Sequence, residues 1–147
     1  AGIGAKQLNP AHLATMFGRA CADNLARESA FNEQMAFYGF VEGAEQIQTN
    51  DIHAVMFRLI ETEQGTYCQM FYASDGHTGE ELARTIAAEA FGGFDKIDYT
   101  FSRRFDPSNA GFTYALNPFT PAYFAHRVDR VRNGQTWYGA VVSLPKE

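Results

Sequence analysis

In "LNPAHLATMFGRACADNLA" apolar residues return every third or fourth position, so that Leu13, Met16, Phe17 and Ala20 share one stripe of a helix. Asn9 offers a side-chain acceptor to the first turn, and Pro10 loses nothing there by lacking an N–H. The pattern predicts a helix over about 10–26. A second helix is predicted from Ser29 as its cap, carrying Phe31, Met35 and Tyr38. Gly39 and Gly43 weaken it, and "MAFYGFVEG" also alternates as a strand would.

The stretch "DIHAVMFRLIETEQGTYCQMFYAS" reads as a hairpin turning at Gln64 and Gly65. With Glu63 opposite Thr66, Leu59 faces Met70 and Phe57 faces Tyr72, giving one apolar face. Both faces of the first strand are rich in apolar residues, which places it inside the sheet. In "YASDGHTGEELARTIAAEAF" Thr78 and Glu81 have the spacing of a capping box, and Glu80 and Glu81 suit the positive end of a helix. Leu82, Ile86 and Ala90 give that helix its buried stripe, and Gly92 and Gly93 end it. Asp75 and Gly76 are turn residues, which leaves His77 without an evident role.

Three or four further strands follow. "KIDYTFSRRF" alternates, with Ile97, Tyr99, Phe101, Arg103 and Phe105 on one face, and "GFTYALN" precedes the breaks at Pro118 and Pro121. The last segment, "AYFAHRVDRVRNGQTWYGAVVSL", is a long hairpin about Asn133-Gly134, the dipeptide of a type I′ turn. A regular ladder from that turn sets Arg132 against Gln135, Arg130 against Trp137, Asp129 against Tyr138 and His126 against Val141. The fold class is therefore α+β: an antiparallel sheet of about five to six strands, an N-terminal helix or two, and one inserted helix. No linker, repeat or low-complexity run divides residues 1–147, so one domain is expected.

Composition narrows the chemistry. The formal charge of −5 repels polyanions and argues against nucleic acid, while Arg103, Arg104, Arg127, Arg130 and Arg132 gather late in the chain and suit a small anionic ligand. The thirteen Phe and seven Tyr supply material for a core or for a lined cavity. No apolar run is long enough to span a bilayer, so no membrane partner is expected of this stretch. The chain starts Ala-Gly-Ile-Gly, as after processing or excision. Cys21 and Cys68 read as buried small residues, with a disulfide open to them if the chain is exported and the fold brings them together. His12, His53, His77 and His126 have no metal-ligand spacing, and no metal or cofactor is expected. Nucleophile elbows, phosphate loops and dinucleotide fingerprints are missing from the sequence.

The first hairpin, "FRLIETEQGTYCQMFYASDG", and the closing "YFAHRVDRVRNGQTWYGAVVSLP" resemble the PAS-like sensor modules, in particular the single-Cache type. That resemblance covers the chain from about residue 9 and implies an extracytoplasmic or periplasmic sensor. A cytoplasmic place is the alternative. The order of elements is also similar to the NTF2-like cone folds, whose apolar pockets host isomerase- or dehydratase-type acid–base chemistry. In that reading His126 and Asp129 are the first candidates, although a regular strand projects them to opposite faces.

Both resemblances imply a small molecule held between the sheet and its cover. Tyr99, Arg103, Tyr123, His126, Arg130, Trp137 and Tyr138 are the candidate ligand-binding residues, with Arg127 weighed beside them as a guanidinium able to grip a carboxylate. The competing reading pairs these arginines with acids or stacks them on rings, as Arg130 on Trp137. The expectation is a small-molecule-binding sensor domain that is not an enzyme. A pocket enzyme and a non-catalytic module of an assembly, through a homodimer for instance, are the alternatives.

Overall fold

The computed structural model describes residues 3–23, 27–90, 112–115 and 123–145, with the backbone alone at 90, 112–115, 123 and 145. "KIDYTFSRRF", with Tyr99 and Arg103, and the pair Gly92-Gly93 lie outside the described residues.

Helix α1 spans Pro10–Phe17 and starts as its sequence dictates: the Asn9 side chain accepts from the His12 N–H at 2.8 Å. It does not run on as an α-helix to residue 26. Gly18–Ala22 form a π-helical turn, closed by the Asp23 N–H on the Gly18 carbonyl at 2.7 Å. Gly18, a poor helix former, opens this wider turn. Helix α2 spans Glu28–Phe37 and buries Phe31 and Met35. Its N-cap is Arg27, so Ser29 lies inside the helix instead of capping it. Gly39, at φ +76°, turns the chain out of the helix in a conformation that other residues adopt at a cost. Helix α3 spans Gly79–Ala90, and its capping box is formed in both directions: the Glu81 N–H donates to Thr78 Oγ1 at 3.1 Å and the Thr78 N–H donates to Glu81 Oε2 at 3.0 Å.

Among the described residues the strands are β1 Val41–Glu42, β2 Gln48–Thr49, β3 Val55–Thr62, β4 Gly65–Ala73, β5 Phe112–Ala115, β6 Tyr123–Arg132 and β7 Gln135–Pro145. They form one antiparallel sheet in the order β1-β2-β3-β4-β7-β6-β5. This is the α+β layout expected from the order of elements. The first hairpin turns one residue earlier than expected, at Glu63-Gln64, because the Thr62 hydroxyl accepts the N–H groups of both Gln64 and Gly65. Thr62 consequently pairs with Gly65, Leu59 with Cys68 and Phe57 with Met70. Partners move by two positions, an even step, so the apolar face keeps its side.

The helices lie on that face. Phe57, Met70, Tyr72, Phe124, Ala140 and Val142 of the sheet pack against Leu13, Phe17, Phe31, Met35, Leu82 and Ile86. Edge-to-face ring pairs join the layers, Phe17 on Phe124 at 5.8 Å and Phe31 on Phe57 at 6.5 Å. The opposite face carries a smaller cluster of Ala54, Met56, Ala73 and Trp137, with Ile3, Ile47 and Phe71 at its edge. The N-terminal segment threads past it: the Gly4 N–H donates to the Asn50 carbonyl, and a Cβ at Gly4 would lie 2.0 Å from the Ile52 carbonyl carbon. Only glycine fits that approach.

Cys21 and Cys68 form a disulfide across the core, tying the π turn to β4. Of the two readings the cysteines allowed, the paired one holds. Closing a loop of 47 residues removes freedom from the unfolded chain worth about 2–4 kcal/mol. The double variant Cys21→Ala/Cys68→Ala is expected to unfold at lower urea by that margin, and a reductant should then destabilise the wild type but not the variant. Equal urea midpoints for wild type and variant would show the bond to be dispensable.

Candidate functional site

The geometry of the C-terminal hairpin decides which side chains can meet. Its turn has the backbone expected of Asn-Gly, with φ +52° at Asn133 and +75° at Gly134. From it Arg132 pairs with Gln135, Val131 with Thr136 and Arg130 with Trp137. A β-bulge at Asp129 then shifts the ladder, so that Val128 pairs with Tyr138, Arg127 with Gly139 and His126 with Ala140. His126 therefore does not oppose Val141, nor Asp129 Tyr138. One inserted residue moves everything before it to the other side of the sheet from where a regular ladder would have put it.

On the face away from the helices this creates a hollow of about 250 Å3. The register places Gly139 of β7 at its centre, between Phe71 of β4 and Arg127 of β6. Ala125 and Val141 continue the floor, and Tyr67, Gln69 and Ser143 supply polar edges. Small residues make the depression: an added Cβ at Gly139 would meet the Phe71 ring at 3.2 Å. Arg127 is exposed and has no acidic partner among the described residues. Phe71 also walls a neighbouring hollow of about 210 Å3, where Met56 and Ile47 lie beside Arg58 and Arg130. There Arg58 donates to the Glu45 carbonyl at 3.0 Å, and Arg130 pairs with its neighbour Asp129 at 3.1 Å.

On the helix-covered face the same shift buries a polar cluster. The Tyr72 hydroxyl and His126 Nε2 are 2.5 Å apart, and the Tyr138 ring stacks on both at 5.7 Å. His126 is wholly inaccessible, and its Nδ1 has no hydrogen-bond partner among the described residues, so with either tautomer one ring nitrogen is left unpaired by them. Burial disfavours the imidazolium and pushes the His126 pKa down to about 3. Burial likewise raises Tyr72 well above the usual phenol range, with Tyr138 adding to it. Tyr138 is raised by burial and then by Asp75, and its hydroxyl reaches the His77 carbonyl at 3.4 Å. His77 thus meets the core through its backbone, while its ring lies 3.9 Å from Glu81.

Of the seven candidate residues, His126 and Tyr138 lie on the helix face, and Arg130 and Trp137 on the other. These four do not converge. Trp137 is buried in the small apolar cluster with its Nε1 unpartnered. Tyr123 occupies the register position opposite Ser143, at the rim of the larger hollow, and Tyr99 and Arg103 lie outside the described residues. Among the described residues, Arg127 is the arginine weighed for anion binding that the fold sets beside a hollow with an apolar floor and no carboxylate lining it. Tyr67, Gln69, Phe71 and Gly139 were not anticipated as lining residues. A glycine inside the apolar run "WYGAVV" was the available signal, since strand glycines mark close approaches. No cluster of three or more metal-ligating side chains occurs among the described residues.

No family model, curated protein or solved structure matches the chain.

The buried histidine couples stability to acid. The unfolded chain takes up its proton near pH 6.5, the folded one only near pH 3, so between these values the unfolded state binds more protons. Stability is therefore expected to fall with pH across that window by up to ~1.4 kcal/mol per unit from this group, and to be insensitive to it above the window. Urea unfolding of wild type and His126→Phe at pH 7 and pH 5 checks this. The variant should lose less stability between the two pH values, and equal losses would remove His126 as the cause.

Proposed function

We propose that this chain is a binding module for a small organic anion, seated in the hollow over Gly139 with its carboxylate or equivalent on Arg127. The observation that carries the reading is the pairing of a guanidinium that has no acidic partner among the described residues with a depression whose floor is apolar and whose rim is polar, the general form of a small-ligand site. Phe71 and Tyr67 offer ring surfaces to the body of such a ligand, and Gln69 and Ser143 offer hydrogen bonds. Arg58 lies on the same face in the neighbouring hollow, where Arg130 is already paired with Asp129.

A sensing role of PAS or single-Cache type agrees with this placement. The ligand would bear on β4 and β7, and β4 is bound covalently to the turn that follows α1. A small shift of β4 would thus be carried into the N-terminal helix. The disulfide supports an extracytoplasmic place, since such bonds persist in oxidising compartments. The alternative of acid–base catalysis draws no support from His126, which is shut off from solvent and held neutral.

Arg127→Ala should change stability by no more than about 0.5 kcal/mol, as is usual for an exposed residue, and should abolish binding of the anions that the wild type retains. Screening carboxylates and phosphate esters by thermal shift, with native mass spectrometry of the freshly purified protein, identifies them. Binding that survives unchanged in Arg127→Ala would overturn the site.

A further inference from the structure

A second cavity lies on the other side of the sheet, between α2 and the edge strands. It measures about 220 Å3, and its lining includes Glu28 of α2, Glu42 of β1 and Glu61 of β3 around the apolar side chains of Phe31 and Leu59. Among the described residues no lysine, arginine or histidine lines it. None of the three carboxylates has an ion-pair partner among the described residues. Acidic side chains at a sheet edge and in the first turn of a helix have structural uses of their own, so their gathering here is not sufficient for a site.

Gln48 is the independent observation. It pairs with Phe57 in the β2–β3 ladder, so its side chain lies on the helix side of the sheet, where it lines the cavity. Only 6% of Gln48 is accessible, yet its side-chain amide makes no hydrogen bond with the described residues. An amide that no described residue engages is left to hydrogen-bond whatever fills the cavity it lines. The carboxylates are also not grouped as a metal ion would require. Carboxylates spread over a mainly polar lining, with Phe31 and Leu59 among them, suit a cation with several N–H donors and a short aliphatic stem.

We propose that this cavity binds a small organic cation, an aliphatic amine or guanidinium, with its charged head among Glu42, Glu61 and Glu28, its stem on Phe31 and Leu59, and one N–H on the Gln48 carbonyl oxygen. The site is separate from the anion hollow, which lies across the sheet. The two would let one module respond to ligands of opposite charge.

Isothermal titration of the whole chain with 1,4-diaminobutane and with agmatine, each against 1,4-butanediol as the neutral analogue, tests the proposal. Saturable one-to-one binding of an amine, with none of the diol, is expected. Glu42→Gln/Glu61→Gln should weaken it about tenfold or more, the worth of one charge-assisted hydrogen bond, and Gln48→Leu should weaken it with the carboxylates intact. Arg127→Ala should leave it unchanged, so failure of the anion hollow is read separately. The absence of saturable amine binding up to millimolar concentration, equal binding of the diol, or undiminished binding by a folded Glu42→Gln/Glu61→Gln variant would each overturn it.

Discussion

The pairing of β4 with β7 is the constraint on which the rest of the molecule depends. It runs unbroken from Gly65 opposite Pro145 to Ala73 opposite Trp137 and joins two hairpins far apart in sequence. With β3 on its other edge, β4 has neighbours on both sides along its length, and its Cys68 is fixed to the helical layer. A slip of one residue in this ladder would exchange Met70, Tyr72, Ala140 and Val142 with Gln69, Phe71, Gly139 and Val141. The core would be lost, and the outer hollow with it.

That register also separates charge. The face away from the helices carries Arg58, Arg127 and Arg130 around its two hollows, with Glu45 and Asp129 beside them, whereas the cavity beneath α2 is lined by Glu28, Glu42 and Glu61. A chain of net charge −5 thus offers a locally basic surface, and the acid excess contributes elsewhere. Between the two lies a tightly packed layer whose polar members, Tyr72 and His126, satisfy one another incompletely. Such a layer is sensitive to small shifts of β4, because its ring stacking and its single short hydrogen bond share the same atoms.

How much of this was legible depends on how local each cause is. The Asn9 cap, the Thr78–Glu81 box and the Asn133-Gly134 turn are written within a few residues, and each formed as the sequence implied. The α+β class and the strands of the two hairpins followed from the same short-range patterning. The register near the first turn was misplaced because the Thr62 hydroxyl, not Gly65, sets the turn. The faces of His126 and Arg127 were beyond reading, since one extra residue in an apparently regular alternation inverts them. The hollow was hidden for a different reason: its lining comes from three strands, and the signal at its centre is the absence of a side chain at Gly139.

Two of the features that shape the molecule are single-residue expansions, the π turn in the first helix and the bulge at Asp129 in β6. The bulge leaves the pairing on both sides of it intact. If Asp129 were deleted, Val128–Tyr138 and Arg130–Trp137 would simply become consecutive rungs, with every inward and outward position preserved. Chain length at this point is thus decoupled from topology and tied to curvature: the surplus residue bends the strand and sharpens its twist. A lineage could adjust the depth of the floor around Gly139 and Ala125 by gaining or losing that one residue, without rewriting the core behind it.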